Sequence, residues 1–348
     1  MLDYLLVGGG LAGIAFAETL TKHDKSFVLI DTSRTNSSRV AAGLYNPIVL
    51  KRFTKIWKAE EQLAALPAFY QAIEQKIQVQ VDFPLAVLRK LSSIEVQNNW
   101  FLAADKPGLS AYLSSSLRKD AFSGIDSPFH FGEVKCTGYV DVPLLVAHYQ
   151  LYLQKMGCLR KEYFEFTALK LLANSLLYKD IEARHIVFAE GYAMHQNPFF
   201  SYLPLDGVKG EILYIKAPNL KLNVLINSSI FIMPVGEDIY KVGATYNWDD
   251  KSEQPTEAGK NELLEKLNEL LQTDYEVVDH LAGVRPTVKD RKPLVGTHSH
   301  HPQVHLLNGL GTRGVLLAPY LSKLLFDHIE YQFPLPAEIA IARYSKAK

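Results

Sequence analysis

The sequence predicts an α/β fold whose parallel sheet is interrupted by a second, α+β lobe, and three observations carry that prediction. The chain opens on a strand, a glycine loop and a helix. It closes on the same three parts in the same order, and its middle changes to longer β segments. Two glycine loops at opposite ends of a chain can meet at one ligand only if the domain that holds them is discontinuous.

The opening unit is the most informative. Tyr4-Leu-Leu-Val7 has the length and residue types of a buried strand. It runs into Gly8-x-Gly10-x-x-Gly13, after which Ile14, Phe16, Ala17 and Leu20 read as one helix. Gly8 permits the tight turn, Gly10 lets backbone approach a pyrophosphate, and Gly13 lets helix and strand pack closely. A second strand, Ser26 to Ile30, ends in Asp31, eighteen residues after Gly13, where a carboxylate can accept from a ribose hydroxyl. A glycine-rich turn in an ordinary α/β protein, with Asp31 as a solvated strand end, is the alternative. The register of strand, glycines, helix, strand and acid favours a Rossmann-like dinucleotide site.

Length and composition set bounds. The 348 residues suffice for two domains, and 48% hydrophobic with 21% charged residues describes an ordinary globular chain. Lys plus Arg equals Asp plus Glu at 37 each, so no global field draws the protein to nucleic acid or an anionic membrane. Cys136 and Cys158 lack metal or redox spacing and read as buried, reduced thiols. The apolar start carries Asp3 and four glycines and no basic region, so it reads as a strand rather than an export signal. No stretch approaches the ~18 apolar residues of a membrane span. A cytoplasmic protein is expected.

Beyond Asp31 the chain runs through a polar loop, Thr32 to Ser38, and a small-residue stretch ending at Pro47. Lys51-Arg-Phe-Thr-Lys-Ile-Trp-Lys58 interleaves basic and aromatic side chains. It suits single-stranded nucleic acid or, more plainly, the start of an amphipathic helix with its lysines in water. A helix from Glu60 to Gln75, kinked or restarted at Pro67, is expected, then strands within 79–91. Ser114–Ser116 and Ser127-Pro128 read as surface connections. A helix over 144–156 stops at Gly157. Short strands follow at 163–167, 168–172, 175–178 and 185–189, the last a further strand of the parallel sheet closing on Glu190-Gly191. Antiparallel segments at 210–216, 229–233 and 239–246 form the second lobe, and Glu257 to Leu271 is a helix with leucines on one face. A strand at 304–307, the loop Gly309 to Gly314 and a helix over 320–329 complete the chain. His298, His300 and His301 show no metal spacing and are placed in a loop.

These motifs resemble the FAD-dependent amine oxidoreductases of the D-amino-acid oxidase and glycine oxidase superfamily over nearly the whole chain. The resemblance rests on Gly8 to Gly13, Ala41-Ala-Gly-Leu44, Ala189-Glu-Gly191 and Val242-Gly-Ala-Thr-Tyr246. It rests above all on Val284-Arg-Pro-Thr-Val-Lys-Asp-Arg-Lys-Pro-Leu-Val-Gly296 and Gly309-Leu-Gly-Thr-Arg-Gly-Val-Leu-Leu-Ala-Pro319. Within the superfamily they look most like the oxidase domain of the enzyme that matures carboxymethylaminomethyl-uridine in tRNA. The resemblance implies a discontinuous FAD-binding domain (1–80, 140–200 and 282–348) and a mixed or antiparallel-sheet substrate domain (81–139 and 201–281).

It also implies residue roles. Gly8, Gly10, Leu11, Ala12 and Gly13 shape the pyrophosphate loop. Asp31, where the family more often has glutamate, meets the adenosine ribose, with Thr32 and Ser38 nearby and Phe166 on a strand against adenine. Ala42, Gly43 and Leu44 edge the isoalloxazine, and Ala189 and Gly191 adjoin the cofactor. Gly309, Gly311, Thr312, Arg313, Gly314 and Val315 present a helix N-terminus to the flavin pyrimidine. Arg285 holds a substrate carboxylate, unless it only caps a strand or pairs with Asp290; Tyr246 is a second candidate in the substrate site. Phe231 replaces a frequent tyrosine, and no cysteine stands near the last motif, so FAD is expected to be non-covalent and no metal is expected. The implied activity is C–N oxidation of a small amine or amino acid, with hydride passing to flavin N5. A tRNA substrate with Lys51, Arg52, Lys55 and Lys58 on phosphates, or a flavin carrier without catalysis, are the alternatives.

Overall fold

The computed structural model describes residues 1–32 and 37–344; residues 33–36 of the expected Thr32–Ser38 loop lie outside it. β1 (Leu2–Val7), α1 (Leu11–Lys22) and β2 (Phe27–Asp31) form the opening unit. Then come α2 (Ala59–Ile77), β3 (Val87–Lys90), α3 (Ile94–Ala104), β4 (Leu113–Arg118) and β5 (Phe131–Val134). α4 (Val142–Lys155) precedes β6 (Leu159–Lys161), β7 (Leu169–Leu171), β8 (Leu176–Tyr178) and β9 (Ile181–Phe188). The second lobe adds β10 (Leu205–Lys216), β11 (Leu225–Asn227), β12 (Phe231–Gly236), β13 (Ile239–Gly243), α5 (Glu257–Leu270) and β14 (Glu276–Val288). β15 (Leu294–Thr297), β16 (Val304–Asn308) and α6 (Gly314–Tyr331) return the chain to the first sheet.

The first sheet runs β6-β2-β1-β9-β8-β7, with β16 also beside β9 and β15 beside β16. β1, β2, β6, β9 and β16 are mutually parallel where they pair. Tyr4, Leu5 and Leu6 are buried because both faces are covered, which is why their stretch is continuously apolar. α1, α2, α4 and α6 pack on one face. In the register Val7 lies beside both Ile30 and Phe188, and Phe188 beside Leu306. Hence both glycine loops leave the same carboxyl edge of the sheet, where α/β proteins bind ligands.

The second sheet runs β14-β10-β13-β12-β11-β3-β5-β4 and is antiparallel except for β11 against β3. One cross-strand row, Leu213, Val242, Ile232, Ile226 and Leu88, is buried with Leu263, Leu267 and Leu270 of α5. Successive side chains alternate faces, so the neighbouring row turns away from α5. Thr256 caps α5 by accepting from the Gly259 N–H at 3.0 Å.

Several expectations need correction. α2 runs through Pro67 without a restart. Lys51–Lys58 does not begin a helix: Ile48–Val49 pairs with Thr54–Lys55 as a small hairpin, and α2 starts only at Ala59. Ser114–Ser116 belong to β4. No strand forms over 163–167, and Phe166 sits in a 3-10 turn, Phe166–Ala168. α6 begins at Gly314 rather than Tyr320, so the second glycine loop leads directly into its first turn. β14 continues unbroken across residue 282, keeping Arg285 in the second sheet. Cys136 is exposed and Cys158 partly so, which corrects the expectation of buried thiols. Among the described residues no helix is long and apolar enough to cross a membrane. Among the described residues no group of three His, Cys, Asp or Glu is placed to hold a metal.

Candidate functional site

The β1–α1 loop is built by close backbone approach. Gly8 has φ +104°, and a Cβ there would lie 2.5 Å from the Ala189 carbonyl oxygen. A Cβ on Gly13 would lie 1.8 Å from the Gly8 carbonyl oxygen, so only glycine lets the helix sit this near the strand end. Gly10 caps α1 in extended conformation without a side-chain acceptor, and the Leu11 N–H donates to Ser38 Oγ at 3.1 Å. Asp31 accepts from the Gly9 N–H and from Gln150 Nε2, each at 3.0 Å, while Gln150 also donates to the Gly9 carbonyl at 3.0 Å. The acid at the end of β2 thus holds the glycine loop as well as bordering the cavity.

The closing loop mirrors it. Gly309 and Gly311 both have positive φ. The Gly311 N–H donates to the Pro286 carbonyl at 3.0 Å, and Asn308 Nδ2 donates to the Gly191 carbonyl at 2.9 Å. These bonds tie the loop to β14, next to Arg285, and to the end of β9. The α6 N-cap residue, like Gly10, supplies no side-chain cap, so two helix N-termini reach one cavity. Such ends favour negative charge.

The third wall is the second sheet. Arg89, Asn227, Phe231, Gly243 and Ile212 are direct cross-strand partners in sequence over β3, β11, β12, β13 and β10. Partners share a face, and all five line the cavity. Gly210 and Arg285 continue this wall. A Cβ on Gly210 would fall 1.9–2.1 Å from guanidinium atoms of Arg285, so the arginine occupies the volume that glycine vacates. Arg285 Nη1 donates to the Thr245 carbonyl at 3.2 Å, and its Cζ lies 4.8 Å from the ring of the exposed Tyr246. Asp290 instead pairs with Arg343 at 3.1 Å and accepts from Tyr344 at 2.6 Å, so the Asp290-pairing alternative for Arg285 fails.

The cavity enclosed by these walls measures about 1520 Å³. That exceeds the roughly 300–1,000 Å³ of a typical small-ligand site and leaves room for a dinucleotide and a substrate together. Gly8, Gly10, Leu11, Ala12, Asp31, Thr32, Ser38, Ala42, Gly43, Leu44, Phe166, Ala189, Gly191, Gly311, Thr312, Arg313, Gly314, Val315, Tyr246 and Arg285 all line it. Gly13 and Gly309 stand behind the wall. Gly13 sets helix packing, and a Cβ on Gly309 would meet Val288 at 2.8 Å.

Sequence reasoning missed two charged residues here, Arg89 and Glu190. Arg89 and Arg313, like Arg285, are guanidiniums whose pKa is lowered by burial, with no carboxylate acting on any of the three. Glu190 is a carboxyl that burial pushes up to about 7, against a 2.6 Å hydrogen bond from Asn197 that acts to lower it. Its folded-state pKa lies above the unfolded 4.5, so the folded protein keeps a proton that the unfolded chain loses. Stability therefore falls as pH rises from about 4.5 to about 7, by at most ~3 kcal/mol. Glu190→Gln is expected to flatten that slope and to melt higher than the parent at pH 8 in thermal denaturation. Identical pH profiles would remove Glu190 from this role.

Comparison with known proteins agrees with this geometry. A family model described as FAD dependent oxidoreductase matches residues 3–328. Glycine oxidase of Bacillus subtilis (strain 168) is 28% identical over 219 residues, 58% of this chain and 59% of that protein. The tRNA 5-methylaminomethyl-2-thiouridine biosynthesis bifunctional protein MnmC of Marinobacter nauticus is 21% identical over 359 residues, 93% of this chain and 55% of that protein. The chain thus spans less than two thirds of the length of these curated relatives. The crystal structure of iminodiacetate oxidase from Chelativorans sp. BNC1 superposes with a TM-score of 0.78 at 18% identity, covering 99% of this chain and 98% of that one. Glycine oxidase from Bacillus cereus ATCC 14579 gives 0.76 at 19% identity, covering 96% of each. With its glycine loops, paired helix ends and basic sheet wall around one cavity, the chain belongs to the FAD-dependent oxidoreductase family that includes the D-amino-acid oxidases.

Proposed function

We propose that the protein oxidises the C–N bond of an amino acid or N-substituted glycine, releasing an oxo acid and an amine. The observation that carries this reading is Arg285, a half-buried guanidinium with no carboxylate partner among the described residues, laid across Gly210 at the cavity wall. A flavin carrier has no use for such a group.

The residues present fit FAD. Gly8, Gly10, Leu11, Ala12, Asp31, Thr32 and Ser38 would hold its nucleotide half, with Phe166, Ala189 and Gly191 beside them. Ala42, Gly43, Leu44 and Gly311 to Val315 would hold the ring half. When bound, FAD supplies a two-electron acceptor. Arg285 binds the substrate carboxylate bidentately, a charge-assisted contact of roughly 1.5–3 kcal/mol. Tyr246 stacks on the guanidinium and fixes its plane. The α6 N-terminus would favour negative charge on a ring bound beside it. Among the described residues no carboxylate adjoins Arg285, and the chemistry asks for a positioned neutral amine more than for a protein base.

Purified protein is expected to be yellow, acid precipitation is expected to leave FAD in the supernatant, and sarcosine is expected to yield glyoxylate. Neither cysteine lines the cavity, which fits a non-covalent cofactor. A colourless protein that takes up no FAD would overturn the reading.

The tRNA-directed alternative draws on one observation: Lys51 lines the cavity, and Arg52 beside it is exposed. Lys55 and Lys58 are engaged by Glu60 at 2.6 Å and Glu61 at 2.9 Å, which halves the basic track. Loss of carboxymethyl groups from tRNA uridine, read by nucleoside mass spectrometry, would favour that alternative.

A further inference from the structure

Arg89 is a charged group in the cavity wall that the proposed chemistry at Arg285 leaves unused. Its Nη1 donates to Asn227 Oδ1 at 2.8 Å and to the Ser228 carbonyl at 2.6 Å, both neutral acceptors. Its Nε is buried and has no acceptor among the described residues. Among the described residues no carboxylate balances it. A guanidinium held in place by neutral groups, with its charge uncompensated at a cavity wall, is a built anion site, because burying such a charge without a partner is costly.

Its position relative to Arg285 follows from the sheet register. The head of Arg285 reaches Thr245, just beyond β13, and the head of Arg89 reaches Asn227 and Ser228, at the end of β11. Only β12 lies between β13 and β11. Arg285 lies over Gly210 of β10, one strand beyond β13, so at ~4.8 Å per strand the two guanidiniums are roughly 10–15 Å apart on one face. Phe231 and Gly243 form the floor between them. Contacts of ~3 Å at each end leave space for a molecule only a few bonds long.

We propose that Arg89 is the second anion anchor of the substrate site, and that the substrate is a compact amine bearing an anionic group on each side of its nitrogen. Arg285 holds one carboxylate and Arg89 the other, with the C–N bond over Phe231 and Gly243. The proposal rests on the amine-oxidising reading of the same cavity, and Arg89 sets specificity within it.

The test compares iminodiacetate with sarcosine on the FAD-loaded protein, by anaerobic flavin reduction and by equilibrium dialysis. The wild type is expected to bind iminodiacetate at least about tenfold more tightly than sarcosine. Arg89→Met is expected to remove that preference, chiefly through KM, and Arg89→Lys to restore part of it. Sarcosine serves as the internal control for folding. Equal weakening of both ligands, or no preference in the wild type, would overturn the proposal. So would Arg89-dependent binding of uridine monophosphate in place of the diacid, since it would assign the site to a phosphate. Arg89-dependent iminodiacetate binding without flavin reduction by any amine would uphold the anion anchor and sink the oxidase reading instead.

Discussion

Changing Arg285 to methionine is expected to lower kcat/KM for carboxylate-bearing amines by about 10³-fold while FAD stays bound. The lost contact alone is worth roughly 1.5–3 kcal/mol, or about ten- to 150-fold. A substrate no longer held by its carboxylate also loses alignment, and misplacement of about 1 Å costs on the order of 10²-fold. Methionine fills similar volume without charge. Removing a half-buried, unpaired guanidinium leaves no partner orphaned except the Thr245 carbonyl. The fold is therefore expected to survive, and flavin absorbance reports this directly. Flavin loss together with activity would assign Arg285 to the scaffold, and unchanged kinetics would remove it from the site.

The second large effect needs no change of charge. In Gly210→Ala the new Cβ falls 1.9 Å from Nη2 and 2.1 Å from Cζ of Arg285. Real Cβ contacts lie beyond about 3.4 Å, so the guanidinium must swing away by more than 1 Å. Gly210 lies in β10, paired with Gly283 of β14, without a left-handed φ, so its backbone can accept alanine there. The expected result is a fall of about 10² in kcat/KM, with FAD content and melting temperature close to the parent. Combining it with Arg285→Met should add little, because both act on one contact. Full additivity would contradict this.

What could be read from the sequence was local. Gly8, Gly10, Gly13 and Asp31 stand in one supersecondary unit, and each has a conformational reason that survives without tertiary context. The closing loop is legible for the same reason, although α6 starts at Gly314, six residues before the expected Tyr320. α3 was missed despite a visible signal: Ser93 caps it at 3.1 Å from the Val96 N–H, and Trp100, Ala103 and Ala104 share a buried face. Arg89 carried no such signal. Its significance comes from lateral pairing with Asn227, Phe231 and Gly243, residues more than a hundred positions away, and a register of that kind is invisible in local patterning. The glycines at 210 and 243 were a usable hint, since glycine inside a strand marks close approach by another group. The basic-aromatic run at Lys51–Lys58 reads two ways in the sequence, and two of its four cations serve local ion pairs.

The central claim is that Arg285 reads a carboxylate on the amine being oxidised. It is tested most directly by mixing the FAD-loaded protein anaerobically with glycine-like amines and with their amides and esters, and following flavin absorbance. The account predicts bleaching by the acids and little or none by the neutral derivatives. Equal bleaching by acids and amides would contradict it.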